Sequence, residues 1–327
     1  MCITFTHAYN LLQQSEYEPL MKISGQRLDF SFLGLSIFFS VSGYLVAKSA
    51  VTSPSFKNYL WKRFLRIQPL LIVVSVLSVF ILGPLFTSFN VSDYFSNAET
   101  FSYLRNIMPV FGIQFFLPGV FLNNVAESGV NGSLWTLVIE ERLYIFLSLL
   151  FLLRYTKKFF FLTTILFFNT VYLIHIVFFH GKLIEYLNLQ QVFYALIFLN
   201  ASCFYLMSIN FEKYAKIAGF LIVLFSVIVI SFFAESSQPL QVLLIPILVI
   251  AIAHVKGITN RAGRYGDFTY GIYIFSFPVQ QMLIAKHAVQ NNPLILFLVT
   301  LAIVIPAAFI SWHLLEKKMT LLKNLII

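Results

Sequence analysis

Apolar runs long enough to cross a bilayer follow one another along almost the whole chain. A helix rises about 1.5 Å per residue, so a hydrocarbon core about 30 Å thick takes about 20 residues. Runs at Phe32 to Ala47, Pro69 to Phe86, Leu134 to Leu153, Phe159 to Phe179, Val192 to Ile209, Ile217 to Phe233, Leu240 to His254, Phe268 to Ala285 and Pro293 to Leu315 meet or approach that length. Met1 to Leu12 is apolar but too short to span, and it reads as the outer end of a first span that is cut short at Met1. It has neither the basic stretch nor the small-residue cleavage site of a signal peptide. The expectation is an all-α, polytopic transmembrane helical bundle of about ten spans. A single membrane-embedded domain covers residues 1–327, with no appended soluble domain and no internal repeat.

Charge sets the orientation. Only 11% of the residues are charged, against about 25% in soluble domains. The net charge of +9 therefore belongs to loops at the membrane surface and does not argue for nucleic acid. With the N-terminus inside, sixteen of the 22 Lys and Arg residues fall in inner loops. Lys22, Arg27, Arg105, Lys182 and Lys286 fall outside, and Arg142 lies within a span. That asymmetry follows the positive-inside rule and places both termini in the cytoplasm. Two cysteines, Cys2 and Cys203, give no disulfide framework, and no spacing suits a metal.

The polar exceptions carry the chemistry. In Asn131 to Tyr144, Glu140, Glu141 and Arg142 stand near the start of a hydrophobic span. An ionisable group at that depth costs roughly 2.5–3.5 kcal/mol, which marks a functional site unless Arg142 merely snorkels with a carboxylate. Lys48 to Arg66 reads as a hydrophilic loop, with Pro69 starting the next span. Arg63 and Arg66, three apart, share a face if helical. They serve either as a positive-inside anchor or as a fork-shaped phosphate clamp. Phe38 to Gly43 is a small-residue notch suited to helix packing. Tyr103 to Leu122, broken by Pro109, Gly112, Pro118 and Gly119, reads as a re-entrant or surface-lying piece. Asp267 reads as the N-cap of the ninth span, and Glu316 as a partner of nearby basic residues.

Taken in order, these stretches resemble the acyltransferase 3 family of bacterial integral-membrane O-acyltransferases. The resemblance rests on His7, on Gly34 to Leu45, on Arg63-Phe64-Leu65-Arg66-Ile67-Gln68-Pro69 and on Leu117 to Phe121. It continues through Asn131 to Tyr144, Gly266 to Tyr273 and Ser311 to Glu316. It implies an inner-membrane enzyme that passes an acyl group, usually acetyl, from acyl-CoA to a hydroxyl. The acceptor is a surface polysaccharide, a lipopolysaccharide or a lipid-linked glycan. His7 then matches the family's essential histidine, Arg63 and Arg66 its paired arginines, and Glu140 and Glu141 its acidic positions. Acyl-CoA is a donor substrate, and no resident cofactor is implied.

The chain departs from the family pattern in three places. An arginine about eleven residues before the histidine would lie upstream of Met1, Ser36 replaces an acidic residue, and Ser276 replaces a histidine before Phe277-Pro278. The first departure suggests a truncated frame and an inactive acyltransferase as one alternative. A small transporter or flippase is the other, although the paired broken spans of such proteins are not found. Transfer needs a base for the hydroxyl and stabilisation of an oxyanion. Of six histidines, His7 is the candidate base, with Glu140, favoured over Glu141, to orient it or to hold a sugar hydroxyl. Trp135 and Tyr144 are the candidate sugar-stacking residues.

Overall fold

The computed structural model describes residues 1–126, 129–149, 157–179, 188–208, 238–254 and 266–325, with isolated positions between 219 and 226. The expected span at Ile217 to Phe233 lies largely outside the described residues. Among the described residues the chain is helical, and its only extended pairing is an isolated bridge between Thr87 and Val120. The long helices are α1 (Cys2–Leu11), α3 (Phe30–Thr52), α4 (Phe56–Leu77), α8 (Trp135–Ser148), α9 (Lys157–Val177), α10 (Leu189–Leu206), α11 (Gln238–Ala253), α12 (Thr269–Ala285) and α13 (Pro293–Ser311). Short helices α2 (Pro19–Ile23), α5 (Gly83–Phe86), α6 (Val91–Ser96), α7 (Ala98–Ser102) and α14 (Lys317–Leu321) fill the connections. Five helical segments are long and apolar enough to cross a membrane: Phe30–Thr52, Phe56–Phe86, Phe159–Val177, Leu189–Leu206 and Pro293–Leu321. The all-α membrane architecture is as expected, with five qualifying spans among the described residues.

One boundary differs in a way that matters. Helix α4 begins at Phe56, so Arg63 and Arg66 lie on a helix, and Pro69 sits inside it. Proline removes one N–H and crowds the preceding turn, yet its fixed φ suits a helix. Membrane helices tolerate it because neighbouring groups satisfy the freed carbonyl. The carbonyl that Pro69 frees is that of Leu65, four residues back; the Ile67 carbonyl, two residues before the proline, accepts the Tyr270 hydroxyl at 3.0 Å.

The chain divides into two compact units. The first comprises Met1–Phe32, Leu60–Arg142 and Tyr265–Ile327. In it α1 packs on α12 and α13 through Ala8, Leu11, Leu12, Phe277, Ile284 and Leu296. Gly271 allows the two later helices to close, since a Cβ there would stand 2.9 Å from that of Ala308. The expected re-entrant stretch forms short turns around Tyr94, Tyr103, Leu117 and Val120. Proline and glycine interrupt any longer helix there. Polar ties replace it: Asn106 donates to the Gln114 carbonyl and accepts from the Gln114 N–H, each at 2.7 Å.

The second unit comprises Leu33–Tyr59 and Leu143–Arg264. In it the notch at Gly43 lies directly against the Phe198 carbonyl oxygen, leaving no room for a Cβ. Ser202 donates to the Gly43 carbonyl at 3.0 Å, so the notch serves helix packing. Asn169 and Asn200 exchange hydrogen bonds at 2.9 and 3.0 Å, and Asn200 also donates to the Val242 carbonyl. Together these tie α9, α10 and α11.

Candidate active site

Within the first unit, α12 carries two polar clusters along its length. The first surrounds Arg66. Its guanidinium lies 2.7 Å from Asp267, which stands just before α12 and also accepts the Thr269 hydroxyl at 2.5 Å. Burial pushes the Asp267 carboxyl up, but the Arg66 charge and the bonds from Thr269 outweigh it, and the net shift is below the ordinary value. Asp267 is thus the partner of Arg66 and also accepts from the backbone N–H of Thr269, the first residue of α12, although the cap position itself falls on Phe268. The pair is one-third and one-half exposed, at 33% and 47%, a setting where ion pairs contribute about 0–1 kcal/mol. Arg63, one turn earlier on α4, is half-buried. Glu316 is buried and accepts from Ser311 at 2.8 Å, its Oε2 has no hydrogen-bond partner, and Arg66 is the basic group within electrostatic reach of it.

The acidic pair on α8 is buried on both residues, each 6% exposed, while Arg142 is exposed. Neighbours on a helix point about 100° apart, so the sequence reading needed only one to face inward. Both do because α8 begins between two walls. Glu141 accepts from the Gln68 side chain on α4 and from the Val110 N–H at 2.7 Å. Glu140 lies within electrostatic reach of the Tyr270 and Tyr273 hydroxyls on α12. Trp135, at the start of α8, is half-buried.

The second cluster is at His7. Its ring meets Phe277 edge-on, with centroids 5.1 Å apart. Phe277 is the midpoint of α12, so His7 stands roughly 15 Å along that helix from Asp267 at about 1.5 Å per residue. Thr4, one turn before His7, donates to Ser276 at 3.0 Å, and Gln280 donates to the Thr4 carbonyl at 2.8 Å. The turn before α8 reaches the same place: a Cβ on Gly132 would stand 2.5 Å from the Phe277 ring. Asn131 donates to the Ile274 carbonyl, and Tyr273 to the Ser133 carbonyl. Three polar atoms here are buried without a hydrogen-bond partner: His7 Nδ1, Gln280 Oε1 and Ser133 Oγ.

Six of the seven candidate residues thus fall in the first unit: His7, Arg63, Arg66, Trp135, Glu140 and Glu141. Tyr144 belongs to the second unit. It is buried there with its ring against Phe198, and its carbonyl accepts the Tyr59 hydroxyl at 3.0 Å. Sequence reasoning missed Gln68, Asp267 as a partner, Tyr273 and Gln280. The Gln280-Gln281 pair inside an apolar span was the available signal.

A family profile described as an acyltransferase domain matches residues 1–313. The chain belongs to the acyltransferase 3 family. Among curated relatives, an O-acetyl transferase of Shigella phage Sf6 is 30% identical over 299 residues, covering 88% of this chain and 84% of that protein. Nodulation protein 10 of Rhizobium leguminosarum bv. viciae is 32% identical over 153 residues, covering 45% of this chain and 40% of that protein. No solved structure matches. The acyltransferase is thus a membrane enzyme that moves acyl groups other than aminoacyl groups onto oxygen, which sets the transporter reading aside. Among the described residues, no group of three His, Cys, Asp or Glu side chains is placed to hold a metal.

Proposed function

We propose that this acyltransferase moves an acetyl group from acetyl-CoA to a hydroxyl of a surface polysaccharide, lipopolysaccharide or lipid-linked glycan. It does so in the bacterial inner membrane, with both termini cytoplasmic. The reading is carried by one observation: a basic cluster and a histidine cluster stand on the same unit, spaced along α12. Arg63 and Arg66 hold the donor's phosphates, with the phosphate replacing Asp267 on a one-third-exposed guanidinium that its present partner holds only weakly. The acyl chain end then reaches towards His7. His7 takes the proton of the acceptor hydroxyl as its oxygen bonds the thioester carbonyl carbon. The carbon–sulfur bond breaks, and the thiolate recovers the proton from the imidazolium. Glu140 holds an acceptor hydroxyl and Trp135 a sugar face. Tyr144 belongs to the second unit, where its ring lies against Phe198, and takes no part in these steps. The O-acetyl transferase of the phage relative supports acetyl as the group.

The test uses inverted membrane vesicles carrying the chain, supplied with acetyl-labelled acetyl-CoA. Label enters the glycan fraction. Arg63→Ala or Arg66→Ala raises the apparent Michaelis constant for acetyl-CoA about tenfold or more, as expected for one lost charge-assisted bond. An unchanged constant in both variants removes the donor role from the pair.

A further inference from the structure

We propose that Gln280 is a positioning residue for His7: its side-chain oxygen takes the hydrogen on Nδ1 and leaves Nε2 as the nitrogen that accepts the substrate proton. This rests on the acyltransferase reading given above. The argument begins with the orientation of the amide. Gln280 is fully buried, and its Nε2 donates to the Thr4 carbonyl at 2.8 Å. A flipped amide would set two oxygens against each other, so Thr4 fixes which end is which. The other end is an acceptor, Oε1, and it has no donor.

Helix geometry then puts that acceptor beside the histidine. A backbone carbonyl points along its helix towards the N–H four residues on. The Thr4 carbonyl is therefore level with the turn that carries His7 and Ala8. On α12, Phe277 and Gln280 are three apart and share a face, and Phe277 is the residue that touches the His7 ring. The same turn of α1 thus lies against the same turn of α12. On it stand a buried acceptor without a donor and a buried imidazole nitrogen without a partner.

A buried polar atom left without a partner is unfavourable, and the two are complementary, one able to donate and the other to accept. They join when the imidazole turns about χ2 or through one bridging water. An imidazole whose Nδ1 hydrogen is held becomes the tautomer with a basic Nε2, the arrangement in which a third group orients a general base. The neutral amide fits this place better than a carboxylate would, because no charge is left buried when the histidine is neutral.

The experiment combines spectroscopy with kinetics on the full chain in lipid. In ¹⁵N-histidine-labelled protein, the His7 signal is identified by its loss in His7→Gln. Its neutral form should carry hydrogen on Nδ1, and Gln280→Leu should shift it to the Nε2-protonated tautomer. The same variant should lower kcat for acetyl transfer about 10- to 100-fold at an unchanged Michaelis constant for acetyl-CoA. Gln280→Glu, which keeps an oxygen acceptor, should restore the Nδ1-protonated form. An Nε2-protonated His7 in the parent, or the same tautomer in parent and Gln280→Leu, would overturn the proposal. If Gln280→Leu fails to accumulate, the parent spectrum and Gln280→Glu decide. A parent with the Nδ1 tautomer but no transfer from acetyl-CoA would instead overturn the proposed reaction and leave this assignment standing.

Discussion

At the scale of single residues, the site depends on side chains whose role shows only in three dimensions. Gly132 looks like a loop glycine before a helix, yet it lies where a Cβ would stand 2.5 Å from the Phe277 ring that supports His7. Gly132→Ala should push that ring against the imidazole. We expect a fall of at least about tenfold in acetyl transfer, with membrane levels reduced far less, since overpacking costs about 1–3 kcal/mol. Transfer at the parental rate would show that the Phe277 contact does not matter to His7. Asp267 shows the limit of local reasoning. A carboxylate one or two residues before a helix reads as a cap, and only the folded chain brings Arg66, some two hundred positions away, to it.

At the scale of elements, the length of apolar runs located the helices well and their ends poorly. The spans expected near residues 32, 159, 192, 240, 268 and 293 all appear within a few positions. Helix α4 was misjudged because a run of Lys and Arg suggests a loop, whereas in a membrane protein such residues commonly ride on a helix as it leaves the bilayer. The notch at Gly43 was legible as a packing feature. Its partner was not, because the Phe198 carbonyl is a backbone atom with no sequence signature. Since backbone cannot swing aside, Gly43→Ala should separate α3 from α10 and destabilise the second unit by about 1–3 kcal/mol. A lowered unfolding temperature in lipid or detergent measures it, and an unchanged one would contradict the close approach.

The connection between α1 and α3 makes a pH-dependent prediction. Glu18 Oε1 accepts from the Thr6 hydroxyl and the Phe30 N–H, both at 2.8 Å. Burial pushes its carboxyl above the ordinary value, and those two bonds only partly offset the rise. The folded state therefore holds the proton more tightly than the unfolded one. Its stabilising contribution is complete below the ordinary carboxylate pKa and is lost as pH rises through the raised folded value. Protection of the Phe30 and Ser31 amides, corrected for intrinsic exchange, should decline over that window. Glu18→Gln keeps an Oε1 acceptor and should flatten the decline. An identical profile in the variant would assign the effect elsewhere, Asp29 being the half-buried carboxyl beside it in the loop, also raised by burial.

At the scale of the whole molecule, the first unit places Arg66, Asp267, Glu140, Gln280 and His7 on the surfaces α12 shares with α1, α4 and α8. Leu298, Ile303 and Ile310 on α13 are exposed, as expected of a helix whose outer face meets hydrocarbon. The family was readable from ordered motifs because those motifs are the polar exceptions in an apolar chain. Their mutual geometry was not, since residues near positions 7, 66, 140 and 277 are joined only by folding. The central claim is that His7 is the base for acyl transfer. The most direct test compares the parent with His7→Ala in membranes supplied with labelled acetyl-CoA, at matched protein levels. The account predicts incorporation into glycan by the parent and a loss of at least about 100-fold in the variant. Full turnover by His7→Ala would contradict it.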